Sequence, residues 1–452
     1  MEKITETIAK FICSTYYSDV SREVFEMSRL HILDTLGVLI AGSKEKVAEI
    51  IKSYLQSFGC GQESTLITQG MKTSAPYAAF GNGVIAHVLD FDDYEVPSMA
   101  HPSVTVLPGV LALGERQRAS GKECLEAYLV GMEVISKVGR GIHPDHYDQG
   151  WHATGTLGAL GAASASAKLL KLDLEQVKMT LGIAASMSSG LRGNFGTMTK
   201  AFHAGHAARN GVESATLALL GFTASKDILE NDLGFCNIFT AGKKDDLSKI
   251  IGELGAPFSI LSPGVGVKLY PSCAATHSFL DGIFDLIRQF DIKAEEVDAV
   301  ECGVFYRLPK MLIHSNPQTG LEGKFSLEFC IAVALKERDA GLRQFTDSKV
   351  QEPGIQQLLK RVKNEVTEEA GKKGTAYPTA ILTVLMKDGK NYSCRVEKRK
   401  GSPVNPLSPK EVMDKFMECA HLNYSPNRSQ RIMDTVMNME KVKDIGELIR
   451  LF

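Results

Sequence analysis

Apolar side chains at Ile4, Ile8, Phe11, Ile12 and Tyr16 recur at helical spacing, and the run from Val24 to Ala41 passes from a one-sided apolar stripe to a nearly continuous apolar stretch. The first pattern predicts an amphipathic helix, the second a helix buried on most sides. Helix follows helix in this way through about the first 260 residues. Gly158, Gly161 and many alanines follow His152, which predicts helices that approach one another closely there. The texture changes at Gly264-Val265-Gly266. Beyond it, Val297 to Tyr306 is rich in β-formers, and Ala380 to Lys387, Asp388-Gly389 and Lys390 to Val396 read as a hairpin around a two-residue turn. Helical patterns lie between these strands, around Phe325–Leu335 and Gln356–Glu369, and return after the Pro-rich stretch from Gly401 to Pro409. The chain is therefore predicted to be mainly α. A large all-helical domain, 1–266 completed by 404–452, carries a smaller α/β lid domain, 267–403, inserted near the C-terminus.

Composition narrows the function classes. Hydrophobic residues make up 44% and charged residues 23% of 452, a globular balance that excludes a wholly disordered chain. Fifty-one Lys+Arg against 53 Asp+Glu leave a net charge of -2, so no overall basic field points to nucleic acid. The nine cysteines form no CxxC pair, which argues against a zinc ribbon or dithiol centre and fits a reduced compartment. The start, Met1-Glu2-Lys3-Ile4, lacks the basic and apolar runs of a secretory signal. The uncharged stretch from Gln149 to Ala167 holds only two leucines and is too weakly apolar to span a bilayer. A cytoplasmic protein without membrane or nucleic-acid partners is expected.

The richest segment is His87-Val88-Leu89-Asp90-Phe91-Asp92-Asp93-Tyr94-Glu95, followed by His101-Pro102-Ser103. A helix starting near Ser74-Ala75-Pro76 should end around Asp90 to Asp93, and another should start after His101. Carboxylates at a helix C-terminus oppose its dipole, and a local rule broken repeatedly marks a candidate site; a solvated acidic loop is the plain alternative. Basic residues also gather at predicted helix starts. His101 and His152 each precede one, Lys200 precedes Ala201 to Leu220, Lys268 precedes Ser272 and His277, and Lys324 precedes a cap at Ser326. Each alone reads more readily as a surface or core residue. Converging, they would bind a polyanion through side-chain cations and helix N–H groups.

Other motifs are weaker. Asp92-Asp93 with Glu95 is similar to a magnesium-binding acidic motif, but Asn231-Asp232 lacks the companions of a second one. His143/His146 and His203/His206 have no Glu partner of the HExxH kind, so no metal site is expected. No glycine-rich nucleotide loop follows a strand, and there is no GxSxG elbow.

Taken in order, the motifs resemble the MmgE/PrpD family, which includes 2-methylcitrate dehydratases, cis-aconitate decarboxylases and iminodisuccinate epimerases. They are His87 to Asp93 with His101-Pro102-Ser103; Gly150-Trp151-His152-Ala153-Thr154-Gly155; Gly196 to Gly205; Lys268-Leu269-Tyr270-Pro271-Ser272-Cys273 with His277; Gly320 to Ser326; and Lys400 to Ser408. The resemblance implies a homodimer that works on a small polycarboxylate without metal or organic cofactor. It places catalytic residues at Asp90, His101, His152, Lys200 and His277, with Lys268 nearby; Tyr94, Lys268 and Lys324 are expected to bind substrate. His101 would be the leading acid/base and Asp90 would orient it or share the role. His152, Lys200, Lys268 and His277 would hold carboxylates, with Lys200 or His277 as a possible proton donor. The implied function is a lyase that removes a proton or CO2 beside a carboxylate, in 2-methylcitrate- or citrate-like dehydration or cis-aconitate-like decarboxylation. An epimerase of a dicarboxylate such as iminodisuccinate, or a binding protein that kept the fold, are the alternatives. Tyr94-Glu95 stands where many members have Thr-His, and Phe329 where some have Tyr; an added carboxylate and phenol at the pocket edge would change which substrate fits.

Overall fold

The computed structural model describes residues 3–58, 61–243, 246–372 and 377–452. The protein is mainly helical, with a small sheet towards the C-terminus. The long helices are Arg22–Gly42, Ala75–His87, Ser103–Gln117, Gly121–Ile142, Ala153–Leu169 and Met198–Leu219. Their apolar faces form one core that runs from Ile4 to Ile260 and resumes with Phe416 to Ile449. Phe416, on the Pro409–His421 helix, packs against Gly37, where an added Cβ would stand 3.1 Å from the ring.

Glycine allows the tightest crossing. A Cβ on Gly205 would lie 2.2 Å from the Phe80 carbonyl oxygen, and one on Gly83 2.8 Å from the Gly205 Cα. The Ala75–His87 and Met198–Leu219 helices therefore meet backbone to backbone. That contact brings His87, at the end of one, to Lys200, in the first turn of the other.

A second core, from Phe279 to Val384, lies between a four-stranded sheet and the Ala274–Phe290 and Leu327–Glu337 helices. The strand order is Val362–Val366, Val297–Val304, Ala380–Met386, Asn391–Val396; the first pair is parallel and the others antiparallel. Val300 sits opposite both Val362 and Val384, so one sheet face is apolar. The hairpin connection is the three residues Lys387-Asp388-Gly389, longer than a two-residue turn: Gly389 N donates to the Met386 carbonyl and Met386 N to that of Lys390, and Gly389 alone is left-handed, at φ +87°.

Four other local readings need correction. The first 260 residues are not all helical: Ser64–Leu66 and Met71–Thr73 form a short antiparallel pair. The expected helix over Gln356–Glu369 stops early. Pro353–Leu359 is helical, and Val362–Val366 is an edge strand with only Val362 buried, so it carries no alternating pattern to read. Lys200 does not precede its helix but is its third residue, with Thr197 as the cap. Cys273, not Ser272, occupies the cap position before His277; the Ser272 hydroxyl pairs instead with Thr276 Oγ1 at 2.8 Å. Among the described residues no helix is long and apolar enough to cross a membrane.

Candidate active site

A cavity of about 410 Å³ lies between the helical core and the sheet-bearing part, lined on one side by Asp90, Tyr94, His101, His152 and Lys200 and on the other by Phe305, Arg307 and Arg399. The Ala75–His87 helix ends just before Asp90, which takes a left-handed conformation (φ +51°). Asp tolerates that conformation better than most residues. The turn aims the carboxylate at two ammonium groups. Lys200 Nζ and Lys268 Nζ each donate to Asp90 Oδ1 at 2.9 Å, and Lys268 also donates to the Asp90 carbonyl at 2.7 Å. Burial opposes ionisation of Asp90, but Lys200 and Lys268 outweigh it and hold its carboxyl well below the usual carboxylate range. Its second oxygen, Oδ2, is buried and without a partner.

The acidic run is thus no solvated loop. Asp93 sits at the start of the Ser103–Gln117 helix, accepting from Ser103 N at 3.2 Å and pairing with His31 Nδ1 at 3.0 Å. A carboxylate there matches the helix dipole. Lys415 secures the same turn by donating to the Phe91 carbonyl at 2.8 Å, with Asp34 as its counter-ion at 2.7 Å.

His101 Nδ1 lies 2.8 Å from the Asp93 carbonyl oxygen and 3.1 Å from Asp92 Oδ2. Both are acceptors, so Nδ1 carries the proton, and Nε2, 3.7 Å from Asp90 Oδ1, is the nitrogen free to exchange one. His152, capping the Ala153–Leu169 helix, pairs its Nδ1 with His203 Nδ1 at 3.0 Å. Burial, then Lys200 and His203, hold the His152 imidazole neutral by pushing its pKa well down.

The other expected positions lie behind this surface. Lys268 is fully buried beneath Asp90. Lys324 donates to the carbonyls of Leu89 and Pro271, both at 2.8 Å, and burial lowers its pKa to about 8. His277 is buried with Nε2 3.2 Å from the Ser272 carbonyl, and it does not line the cavity. Tyr94 does line it, but its hydroxyl accepts from Arg399 Nε at 2.9 Å and its ring packs on Gly266. The Glu95 carboxylate turns to Ser136 and to Ser98 N, and burial raises its pKa, so it adds no free charge to the cavity. Phe329 is in the sheet-side core.

Sequence reasoning passed over Arg307 and Arg399. Arg399 lies in the basic triplet Lys398-Arg399-Lys400, just before the Gly401 motif, and that triplet was the available signal. Arg307 follows the Val297–Val304 strand and donates to Asp148 Oδ2 at 2.8 Å. Nothing nearby in sequence announces its part in the cavity.

His87, Asp90, Asp92 and His101 place four possible ligand atoms within 4.8 Å of one another. The Lys200 and Lys268 ammonium groups already bring positive charge to this cluster, and Lys200 Nζ sits 2.7 Å from His87 Nε2, the lone pair a metal would need. The donor set therefore fits ammonium groups better than a divalent cation.

A helical core is joined to a smaller sheet-bearing part, and lysine, histidine and arginine converge on the cavity between them. The chain matches the MmgE/PrpD N-terminal domain over residues 6–248 and the MmgE/PrpD C-terminal domain over 270–441, and it belongs to the MmgE/PrpD family. Among its relatives are the cis-aconitate decarboxylases of Mus musculus (28% identity, covering 100% of this chain and 93% of that protein) and Homo sapiens (28%, 100% and 95%). That of Aspergillus terreus is 26% identical over 99% of this chain and 95% of its own length.

Proposed function

We propose that the protein is a cofactor-independent lyase that breaks a bond next to a carboxylate of a small polycarboxylic acid, with cis-aconitate-like decarboxylation as the leading reaction. The observation that carries this reading is His101: its Nδ1 is committed to Asp93 and Asp92, leaving Nε2 to work in a cavity edged by Lys200 and His152. Lys200 has three N–H donors, two of them taken by His87 and Asp90, so the third is free for a substrate carboxylate. Arg399 and Arg307 add guanidinium groups from the opposite wall.

In decarboxylation the bond to the departing carboxylate breaks and its electron pair stays on the substrate, spreading towards a retained carboxylate. Lys200 stabilises that charge as it develops. The imidazolium form of His101 gives its Nε2 proton to the carbon that gains it, which leaves the neutral ring with its proton on Nδ1, and Nε2 is reprotonated from solvent after CO2 leaves. Dehydration of a citrate-like hydroxy acid would use the same ring as base and then as acid to the leaving hydroxyl; the 26–28% identity to cis-aconitate decarboxylases supports decarboxylation ahead of it. Epimerisation of a dicarboxylate needs only the proton exchange. A non-catalytic binding protein would have no use for a histidine tautomer fixed in this way.

The protein is taken to act as a homodimer, with residues 267–403 moving as a lid about Gly264–Gly266 and Gly401–Pro403. Light scattering that gives a monomer at micromolar concentration would overturn the dimer. For the activity, a panel of di- and tricarboxylates followed by NMR in D2O should yield one substrate that loses CO2 and gains deuterium at a single carbon. A folded protein that neither converts nor exchanges any panel member would overturn the reading.

A further inference from the structure

His87 and Asp92 do not touch the reacting atoms in the scheme above, yet they close a ring of polar contacts around it. From His101 Nδ1 the path runs to Asp92 at 3.1 Å and from Asp92 to His87 Nδ1 at 2.9 Å. It continues from His87 Nε2 to Lys200 Nζ at 2.7 Å, from Lys200 to Asp90 Oδ1 at 2.9 Å, and back to His101 Nε2 at 3.7 Å. His87 and Asp92 are buried and neither lines the main cavity.

The donors and acceptors allow one assignment. An ammonium has no lone pair, so Lys200 donates and His87 Nε2 accepts. The His87 proton is then on Nδ1 and goes to Asp92, which can accept from both imidazoles because it is ionised. Burial opposes that ionisation, but His87 and His101 outweigh it and hold the Asp92 carboxyl well below the usual range. For His87, burial together with Lys200 outweighs Asp92 and lowers its pKa to about 4, in keeping with a neutral ring. Asp90 Oδ2 is left without a partner and His101 Nε2 without a close one, and the two residues that would meet substrate, His101 and Lys200, are the ones on the cavity side.

We infer that His87 and Asp92 are positioning residues: Asp92, together with the Asp93 carbonyl, fixes the protonated Nδ1 of His101, and His87 acts as a neutral acceptor that pins the Lys200 ammonium at a set distance from it. This rests on the proposed lyase reading for its kinetic consequence, but not for its geometry. The ring needs an acceptor facing Lys200 and a donor facing Asp92, and a primary amide supplies both. Gln at position 87 can bridge in that way; Leu cannot. A proton-carrying role for His87 would instead be lost in both variants, because an amide does not titrate in this range.

The test has two arms. The first needs no substrate: long-range proton–nitrogen NMR reads the ring tautomers, and wild type should show His101 with its proton on Nδ1. Asp92→Asn turns an NH2 donor towards one of the two imidazoles, so the nitrogen signals of His101 or of His87 should shift towards a tautomer mixture while the thermal midpoint marks the protein as folded. The second arm is kinetic. His87→Leu should lower kcat by about 10²-fold with a smaller change in KM, in the range seen when a supporting partner of a working group is removed. His87→Gln should stay within about tenfold of wild type. Unchanged tautomers of both His101 and His87 in Asp92→Asn, or equal losses in His87→Gln and His87→Leu, would overturn the inference. Absence of turnover in the wild type would overturn the lyase reading alone, since the tautomer arm is measured without substrate.

Discussion

Asp90→Asn probes the charge balance on which the whole site rests. The substitution keeps side-chain size and removes the negative charge facing two ammonium groups, each 2.9 Å from Oδ1. At an effective dielectric constant of about 20, opposite unit charges at that separation attract by about 6 kcal/mol. Removing one partner of a buried pair generally costs about 3–5 kcal/mol, because the charge left behind is desolvated and unpaired. Lys268 bears most of that loss: it is fully buried, and both of its hydrogen-bond acceptors belong to Asp90. At about 2.1 cal/mol/K of unfolding entropy per residue, a loss of about 4 kcal/mol over a chain this long lowers the melting midpoint by about 4 °C. The pH dependence has a definite sign. The folded-state pKa of Asp90 is depressed, so its stabilisation is present above the unfolded carboxylate value of about 4 and is lost as pH falls through the folded value. The gap between wild type and variant should therefore be full at neutral pH and close under strong acid. Thermal melts across that range measure it, and adding Lys268→Met to Asp90→Asn should recover most of the deficit by removing the stranded charge. A single variant that melts within about 1 °C of wild type at neutral pH, or a double variant with no recovery, would refute the reasoning.

The remaining predictions concern chemistry and packing. His101→Ala should lower turnover of the identified substrate by about 10²–10⁴-fold, the usual contribution of a positioned acid/base, with little change in the melting midpoint; near-wild-type steady-state rates would remove His101 from that role. Activity should survive exhaustive EDTA, and loss restored by one divalent ion would reverse the assignment of Lys200 and Lys268 as the cations of the site. Gly205→Ala should destabilise by at least about 1–3 kcal/mol in denaturant titration, because its Cβ meets a backbone carbonyl that cannot move aside without parting two helices. The same variant should raise KM, since it separates His87 from Lys200.

Much of this protein is legible in the chain alone. Periodic apolar positions gave the Arg22–Gly42 helix within two residues at its start and one at its end, and Asp388-Gly389 located the hairpin. These features follow from interactions among near neighbours, which a sequence records directly. Residue types likewise offered Asp90, His101, His152 and Lys200 as a group before any geometry was available, and the fold brings the four to one cavity. What they do to one another could not be read that way. Lys200 lies 113 positions from His87, and Lys268 lies 178 from Asp90. Their meeting depends on helices that cross where Gly83 and Gly205 have no side chains. The same holds for Lys268, Lys324 and His277, which the sequence offered as substrate contacts and the packing sets behind the cavity wall. It holds for Arg399 too, brought to Tyr94 across 305 positions. The sequence by itself determined which groups were present and which local elements carry them. Tertiary structure alone decided which face the cavity, which are sealed beneath it, and which ring nitrogen keeps its proton, because burial and pairing are properties of the packed whole.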